Sequence, residues 1–460
     1  MQKTPASKDK AFSNRPTPTI AEVLKEAKSE NVKIVRLQFV DIHGFPKNMS
    51  IHVDQFEKAL NNEHMLDGSS IAGFRTIETS DMYFFPDRSS FKVLPVFEGD
   101  GSRREASIIC DIYNPDGTPF EGCPRNNLKR VLSKAYNMGY VFNVGPELEF
   151  FLFEKNADGS ISTRTHDAGG YYDLGPDDKG ELVRSEIVET LESLGFEMEA
   201  DHHEVAQGQH EIDFKYADAL TQADNVVTVK IITRRIAAKH GLHATFIPKP
   251  VFGINGSGMH SNMSLALIAG GNAFYDEKGD YQMSLAAHQF IAGLLKNVRG
   301  ITAITNPLVN SYKRLVPGYE APVYVAWSAA NRSALLRVPA KRGNATRVEL
   351  RSPDPAANPY LAFAAMLLAG MDGIEQNMDP PTPVNANIYH LSESQRADMG
   401  VLSLPGSLYE AVEEMKKSAV AKAALGDHIF DEFVKAKVHE WDQFRTQVTQ
   451  WEVDRYMPRI

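Results

Sequence analysis

The sequence predicts an α+β chain in which a small domain of short strands and one helix precedes a large α/β domain. Three observations carry this expectation. Between Thr19 and Asp111 the apolar residues alternate in short strand-like runs behind a single amphipathic helical stretch. Asn114–Asn127 is dense in turn-forming residues and reads as a boundary. From Leu128 onward helical and strand patterns alternate, and the strands hold nearly all the suggestive carboxylates. The expected division is a disordered tail over 1–18, the small domain over 19–113 and the large one over 114–460.

Composition sets the limits. At 460 residues the chain is too long for one compact domain. Lys plus Arg total 49 against 59 Asp plus Glu, a net charge of −10, which argues against nucleic acid as a partner. A hydrophobic fraction of 43% with 9% aromatics supports ordinary buried cores. The longest apolar run, Tyr360 to Met371, falls well short of the ~20 residues of a membrane span. Cys110 and Cys123 form no CxxC pair, so no thiolate metal site is expected, and a reducing, cytoplasmic setting is. Residues 1–18 are polar and Pro-punctuated, without the apolar centre of a secretory signal.

In the small domain, Ile20–Ser29 is read as the helix, and Val32–Phe39 and Lys47–Val53 as a hairpin across Asp41–Gly44. Further strands are expected at Phe91–Val96 and Ala106–Ile112. In the large domain, helices are expected at Asn127–Asn137, Lys179–Leu194, Ala217–His240, Tyr281–Asn297, Pro359–Ile374 and Leu408–Ala424.

The chemistry lies in the intervening strands. Gly145–Phe153 (GPELEFFLF) alternates so that Glu147 and Glu149 share one face. Two solvated acids on an edge strand would be the bland alternative, but the surrounding phenylalanines imply burial, and buried like charges need a cation. In HHEVAQGQHEIDF, a two-residue turn at Gln207–Gly208 would set Glu204 directly opposite Glu211. That pairing destabilises a hairpin unless a metal sits between the two; a longer and looser solvent turn is the bland alternative. His260 follows a Gly-rich NGSG turn and shares a strand face with Asn262 and Ser264, suiting metal or phosphate contact.

Thr346–Ser352 places Arg347, Glu349 and Arg351 on one face, with Arg314, Arg332, Arg337 and Arg342 close upstream. A surface ion-pair ladder is the bland alternative. Arginines this dense in an acidic chain suggest binding of phosphates and carboxylates. Five glutamates with one imidazole form an oxygen-rich ligand set that suits Mg²⁺ or Mn²⁺ over zinc or copper. With the arginines they describe a phosphoryl-transfer site. No GxxxxGK[ST] motif occurs, so this is not a P-loop enzyme.

These segments resemble the glutamine synthetase family, specifically its bacterial type I. MLDGSS at 65–70, GPELEFF at 145–151, NGSGMH at 255–260, NSYKRLVPGYEAP at 310–322, NRSALLRVP at 331–339 and RVELRSPDPAANPYLA at 347–362 match its signatures in order. The likeness runs from about Glu30 to the C-terminus and points to the short, non-adenylylated branch. It implies a β-grasp-like N-terminal domain, a large catalytic domain, and a dodecamer of two hexameric rings. Each active site would be completed by Asp67 from a neighbour.

By the same resemblance Glu149, Glu204 and Glu211 would hold one metal, and Glu147, His260 and Glu349 the other. Asn255, Gly256, Arg314 and Arg351 would bind L-glutamate. Glu199, Asn262, Ser264, Arg337 and Arg347 would contact ATP, and Arg332 the transferring phosphoryl group. Asp67 and Glu320, with Tyr171 and Ser69 nearby, would receive ammonium. The implied reaction joins ammonium to the γ-carboxylate of L-glutamate through γ-glutamyl phosphate, giving L-glutamine, ADP and phosphate.

A ligase for a larger amine and an inactive structural homologue are the alternatives. Asp67, Tyr171 and Glu320 favour ammonium, and the six intact ligand candidates argue against inactivity. The chain departs from the family at Asn262, where many relatives carry histidine, and at Ala330, where a polar residue is usual. It also has Thr76, preceded by Arg75, where the feedback-inhibited branch has arginine.

Overall fold

The computed structural model describes residues 13, 15–96, 103–175, 178–329 and 331–460. Most of the expected tail, residues 1–12 and 14, lies outside the described residues, as does Ala330. Arg15, within that same segment, is docked: its guanidinium donates to Asn225 Oδ1 at 2.8 Å and to Asp224 Oδ2 at 3.3 Å.

Helix α1 (Ile20–Ser29) starts at a reciprocal Thr19–Glu22 capping box and buries Val23 and Ala27, one turn apart. Strands β1 (Val32–Val40) and β2 (Pro46–His52) form the expected hairpin. Asp41 Oδ1 closes its turn by accepting from the backbone N–H of His43 (2.9 Å) and Phe45 (3.0 Å). The helix α2 (Phe56–Leu60) is followed by β3 (Met65–Asp67), β4 (Asp81–Pro86), β5 (Lys92–Val93) and β6 (Arg104–Tyr113). The sheet runs β2-β1-β6-β4-β3 with β5 beside β6; β1 and β6 are parallel.

The second sheet is built around the long β7 (Tyr140–Lys155). Its path is β15-β16-β17-β13-β7-β10-β9, where β9 is Met198–His203, β10 Gln209–Phe214, β13 Met259–Leu267, β15 Trp327–Ser328, β16 Leu336–Arg337 and β17 Val348–Leu350. Strands β8 (Ile161–Thr165), β11 (Ala217–Asp218) and β12 (Leu242–Thr245) also pair with β7. A separate ribbon joins β14 (Tyr324–Val325) to β18 (Leu402–Ser403).

The helices of this part are α3 (Pro124–Asn137), α4 (Gly180–Ser193), α5 (Ala219–Lys239), α6 (Leu285–Thr305), α7 (Ser311–Arg314), α8 (Pro359–Glu375), α9 (Glu393–Asp398), α10 (Leu408–Lys417), α11 (Ala419–Arg445) and α12 (Gln450–Tyr456). The apolar run at Tyr360–Met371 is α8, buried on nearly every side. It touches α6 backbone to backbone: a Cβ on Gly373 would meet the Gln289 carbonyl, and one on Gly293 the Ala369 carbonyl. Among the described residues no helix is long and apolar enough to cross a membrane.

The two parts meet at a buried cation. Arg125, at the start of α3, donates to Asp87 Oδ2 (2.6 Å), Asp111 Oδ1 (2.9 Å) and Asp224 Oδ1 (2.9 Å). Asp87 and Asp111 belong to the first part and Asp224 to α5; the Tyr360 hydroxyl also donates to Asp224.

Several boundaries differ from expectation. The strand expected at Phe91–Val96 is only the two residues of β5, and β3 and β4 went unforeseen. Helix α6 begins later than Tyr281 because Ser284 caps it, accepting from Ala287 N. The helix expected over Leu408–Ala424 breaks at Ser418, which caps α11.

Candidate active site

Strand β7 sets the site by its two faces. Leu148, Phe150 and Leu152 enter the main core. On the other face, Phe151 and Phe153 pack with Ala206, and Glu147 and Glu149 continue the row. Its neighbours are in register to extend the acidic face. Glu211 stands opposite Glu149, Asp213 opposite Glu147 on β10, and His260 opposite Glu147 on β13. Glu349 of β17 lies opposite Asn262, and Arg337 of β16 opposite Glu349.

The hairpin register differs from the sequence expectation. Glu211 pairs with His202 rather than Glu204, and Glu204 N donates to Gln209 O at 2.8 Å. The turn therefore spans residues 205–208, not Gln207–Gly208 alone. Gln209 causes the widening: its backbone N–H binds Ala206 O at 3.0 Å while its side chain accepts from Ala206 N at 3.2 Å. Gly208 supplies the left-handed bend at φ +69°. A register offset of two keeps both carboxylates on the same face, as an offset of one would not.

Two clusters result. In the first, Glu147, His260 and Glu349 bring one ligand atom each within 4.8 Å of one another, with His260 Nδ1 3.3 Å from Glu147 Oε2. Asn262 Nδ2 donates to Glu147 Oε1 (2.8 Å), Arg351 Nε to Glu349 Oε1 (3.2 Å), and Arg337 Nε to Glu349 Oε2. In the second, His202, Glu204 and Glu211 converge in the same way, with His202 Nε2 3.3 Å from Glu211 Oε2. Glu149 lies between them, accepting from Gln209 Nε2 (2.8 Å) and Gly258 N (2.9 Å). A Cβ at Gly258 would press on Arg314 Nη2, His260 Nε2 and Glu149 Oε1, so a larger residue there would shift the site's own side chains.

The electrostatics show an excess of negative charge. Burial raises Glu211 well above the usual carboxylate range, helped by Asp213, Glu149 and Glu147. Burial likewise pushes Asp213 up to about 8, with Glu147 and Glu199 adding to it. Glu204 is raised by burial and by Glu149. Glu147 goes down, to about 2: burial opposes this, but the hydrogen bond and charge of His260, with Asn262, prevail. Oxygen-rich ligand sets of this sign fit hard divalent cations.

A cavity of about 950 Å³ opens over both clusters. All six sequence-derived ligand candidates line it, as do Tyr171, Asn255, Gly256, Arg314, Glu320, Arg332, Arg337 and Arg351. Glu320 holds a left-handed φ of +63° and accepts from Asn255 Nδ2 at 3.2 Å. Arg314 is buried and donates to the carbonyls of Ser352 (2.6 Å) and Arg351 (3.2 Å). A second cavity of about 240 Å³ adjoins the first through Glu147 and Asp213; Glu199, Asn262, Ser264 and Arg347 line it. Arg347 Nε donates to Asn262 Oδ1 at 2.9 Å.

Two of the expected site residues are elsewhere. Asp67 and Ser69 lie at the end of β3 and line neither cavity. Asp67 is exposed, and hydrogen bonds from the Ser69 hydroxyl and from Ser69 N (2.8 Å) hold its carboxylate below the usual carboxylate range. Conversely, sequence reasoning passed over His202, Asp213, Tyr172 and Asn331. The alternation of HHE, which puts His202 on the face of Glu204, is the signal that would have found the first.

Residues 31–115 match the model of the glutamine synthetase β-grasp domain, and residues 121–456 that of the glutamine synthetase catalytic domain. The chain is 56% identical to a glutamine synthetase of Clostridium saccharobutylicum over 95% of its own length and 98% of that protein. It is 54% identical to one of Staphylococcus aureus, covering 95% and 98%. Among solved structures it resembles a GmaS/ADP complex (TM-score 0.85, 31% identity, 95% and 99% covered). It also resembles the Plasmodium falciparum glutamine synthetase (TM-score 0.84, 27% identity, 95% and 99% covered).

Proposed function

The chain belongs to the glutamine synthetase family, and from that membership we propose how its site works. The reaction is ATP-dependent ligation of ammonium to the γ-carboxylate of L-glutamate, yielding L-glutamine, ADP and phosphate. The observation that best supports this reading is the pairing of two carboxylate–histidine clusters on one sheet face, beneath a cavity rimmed by arginines.

The donor set fits divalent ions, Mg²⁺ or Mn²⁺. Glu147, His260 and Glu349 would hold one, and Glu149, Glu204 and Glu211 the other, with His202 beside Glu204 and Glu211. Bound there, such ions offset charge on the transferring phosphoryl group.

Each remaining role falls to a protein group. Arg351 and Asn255, with Gly256, orient glutamate so that its γ-carboxylate faces the nucleotide, and Arg314 supports the wall beneath them. Glu199, Ser264 and Arg347 line the adjoining cavity, where ATP would sit, its phosphates directed toward Arg337 and Arg332. Arg332 and Arg337 supply fixed positive charge where negative charge develops in the transition state. The Glu320 segment shields the acyl phosphate from water.

Ammonium has no lone pair and must lose a proton before it attacks. Asp67 is the base in this reading, supplied by the neighbouring subunit of a dodecamer of two hexameric rings. Its exposed position away from the chain's own cavity supports delivery across an interface. Cys110 and Cys123 are both buried and free, which supports a reducing, cytoplasmic setting.

ATP turnover with glutamate plus ammonium, compared with glutamate plus methylamine, tests the amine. Turnover several-fold higher with ammonium is expected. A preference for methylamine would assign a different acceptor.

A further inference from the structure

We propose that Lys249, which lines neither cavity, is a positioning residue for the reaction: its ammonium, seated on the face of the Tyr319 ring, latches the Glu320 segment over the active site. The inference rests on the ligase reading above, in which that segment keeps water from the acyl phosphate.

The segment has to be held from outside. Residues 316–320 are mostly exposed, and Tyr319 sits between two left-handed residues, Gly318 at φ +98° and Glu320 at φ +63°. Ala321 N donates to Tyr319 O at 2.8 Å, closing a tight turn around Glu320. A positive φ at a non-glycine residue is strained and persists only where surrounding contacts fix it. Three contacts do so here. Asn255 Nδ2 donates to Glu320 Oε2 (3.2 Å), the Tyr389 hydroxyl donates to Ala321 O (2.8 Å), and Lys249 Nζ lies 3.9 Å from the centre of the Tyr319 ring. The Asn255 contact is exposed, whereas Lys249 is buried. A cation on a ring face gains most where water is excluded.

The base of the latch is rigid. Asn310, immediately before α7, brackets the Lys249 backbone: its Oδ1 accepts from Lys249 N (2.8 Å) and its Nδ2 donates to Lys249 O (2.9 Å). Ser257 N donates to Pro248 O at 2.9 Å, and a Cβ on Gly256 would collide with that same carbonyl, so the 248–257 loop closes on itself. Lys249 Nζ also donates to Ile254 O, next to Asn255. Among the described residues no carboxylate pairs with this ammonium; burial and, next, the charge of Arg314 hold it below the usual lysine range. Keeping an unpaired cation there costs stability. What it provides is a single tie between the loop that carries Asn255 and Gly256 and the segment that carries Glu320.

Releasing the tie has a chemical consequence. Water that enters attacks the acyl carbon of γ-glutamyl phosphate, and the bond from that carbon to the phosphate oxygen breaks. Phosphate leaves with the bonding pair, and the two protons of the water pass to phosphate and solvent. The products are glutamate and phosphate, so ATP is consumed without glutamine.

The test uses the full-length assembled protein. Lys249→Met keeps the side-chain length and removes the charge, Lys249→Arg keeps a cation over the ring, and Tyr319→Leu removes the ring. Backbone hydrogen exchange over residues 316–321 reads the latch without catalysis. It should quicken roughly 5-fold in Lys249→Met and Tyr319→Leu and no further in their double variant, while Lys249→Arg stays near wild type. With saturating ATP, glutamate and ammonium, wild type should form one ADP per glutamine, and the two disruptive variants clearly more. Unchanged exchange in both would overturn the proposal. So would a defect confined to Lys249→Met, which would make Lys249 a support for Ile254 alone, or faster exchange with one ADP still formed per glutamine. A wild type that makes no glutamine would overturn the ligase reading, and the exchange data would still decide the latch.

Discussion

Glu149 and Glu211 face each other directly across the β7–β10 ladder, and Asp213 faces Glu147 two residues along. Like charges in such pairs oppose sheet formation. The fold therefore positions this face for cations at a cost to its own metal-free stability.

Glu211→Gln separates these effects. The metal-free variant should be at least as stable as wild type at pH 8, each kcal/mol of relieved repulsion raising the melting temperature by about 1 °C in a chain of this length. Divalent ions should then stabilise it less, and half-activation should require at least ~10-fold more metal. Thermal melts with and without Mg²⁺, alongside activity titrations, measure both. A variant that gains as much from metal as wild type would remove Glu211 from the ligand set.

A pH prediction follows from Asp213 and Glu211, both raised by burial and by their acidic neighbours. A carboxyl whose folded pKa exceeds its unfolded value stabilises the fold when protonated, and that contribution is lost as pH rises toward the folded pKa. Metal-free protein should therefore lose stability between about pH 4 and 8. Metal binding should release protons and should tighten over the upper part of that range. Calorimetry in buffers of different ionisation heat counts the protons; zero release at pH 7 would contradict the assignment.

The sheet's acidic face was legible because alternation in GPELEFFLF requires only local geometry, and the structure keeps Glu147 and Glu149 on one side. The hairpin was legible by face and not by register. A Gln209 side chain that binds the turn backbone leaves no periodic trace in sequence. Strand β3 escaped notice because three residues are too few to show an alternation. Asp67 could be tied to the site only by family likeness, since its own chain places it outside the cavity.

If Asp67 serves the neighbouring subunit, two inactive chains should rescue each other. Co-assembled Asp67→Ala and Glu349→Ala subunits should recover part of the wild-type turnover, because some interfaces then contain both intact halves. Mixed oligomers, verified by differential tags, that stay inactive would argue for sites completed within one chain.

Asp67→Asn probes the base itself. The amide keeps the shape of the carboxylate and loses its charge and proton affinity. Glutamine formation should fall by ~10²-fold, the scale of losing a positioned base. Hydroxylamine, largely neutral near pH 7 and already carrying a lone pair, should be much less affected. Parallel assays with both nucleophiles decide; equal losses would make Asp67 a positioning residue.

Arg125→Met should destabilise the protein by about 3–5 kcal/mol, since it leaves Asp87 without a paired cation and Asp111 and Asp224 with only Lys129 and Arg15. Urea unfolding followed by fluorescence and circular dichroism gives the value. A loss below about 1 kcal/mol would place the cation's role elsewhere.

That same guanidinium limits how the chain can be recombined. Two of its three carboxylates come from the first 113 residues and one from α5, so the N-terminal part is not a portable module. A chimera that takes this part from a relative inherits a workable junction only if the donor supplies acids equivalent to Asp87 and Asp111. Excising either half would leave buried charge facing solvent without its counterpart.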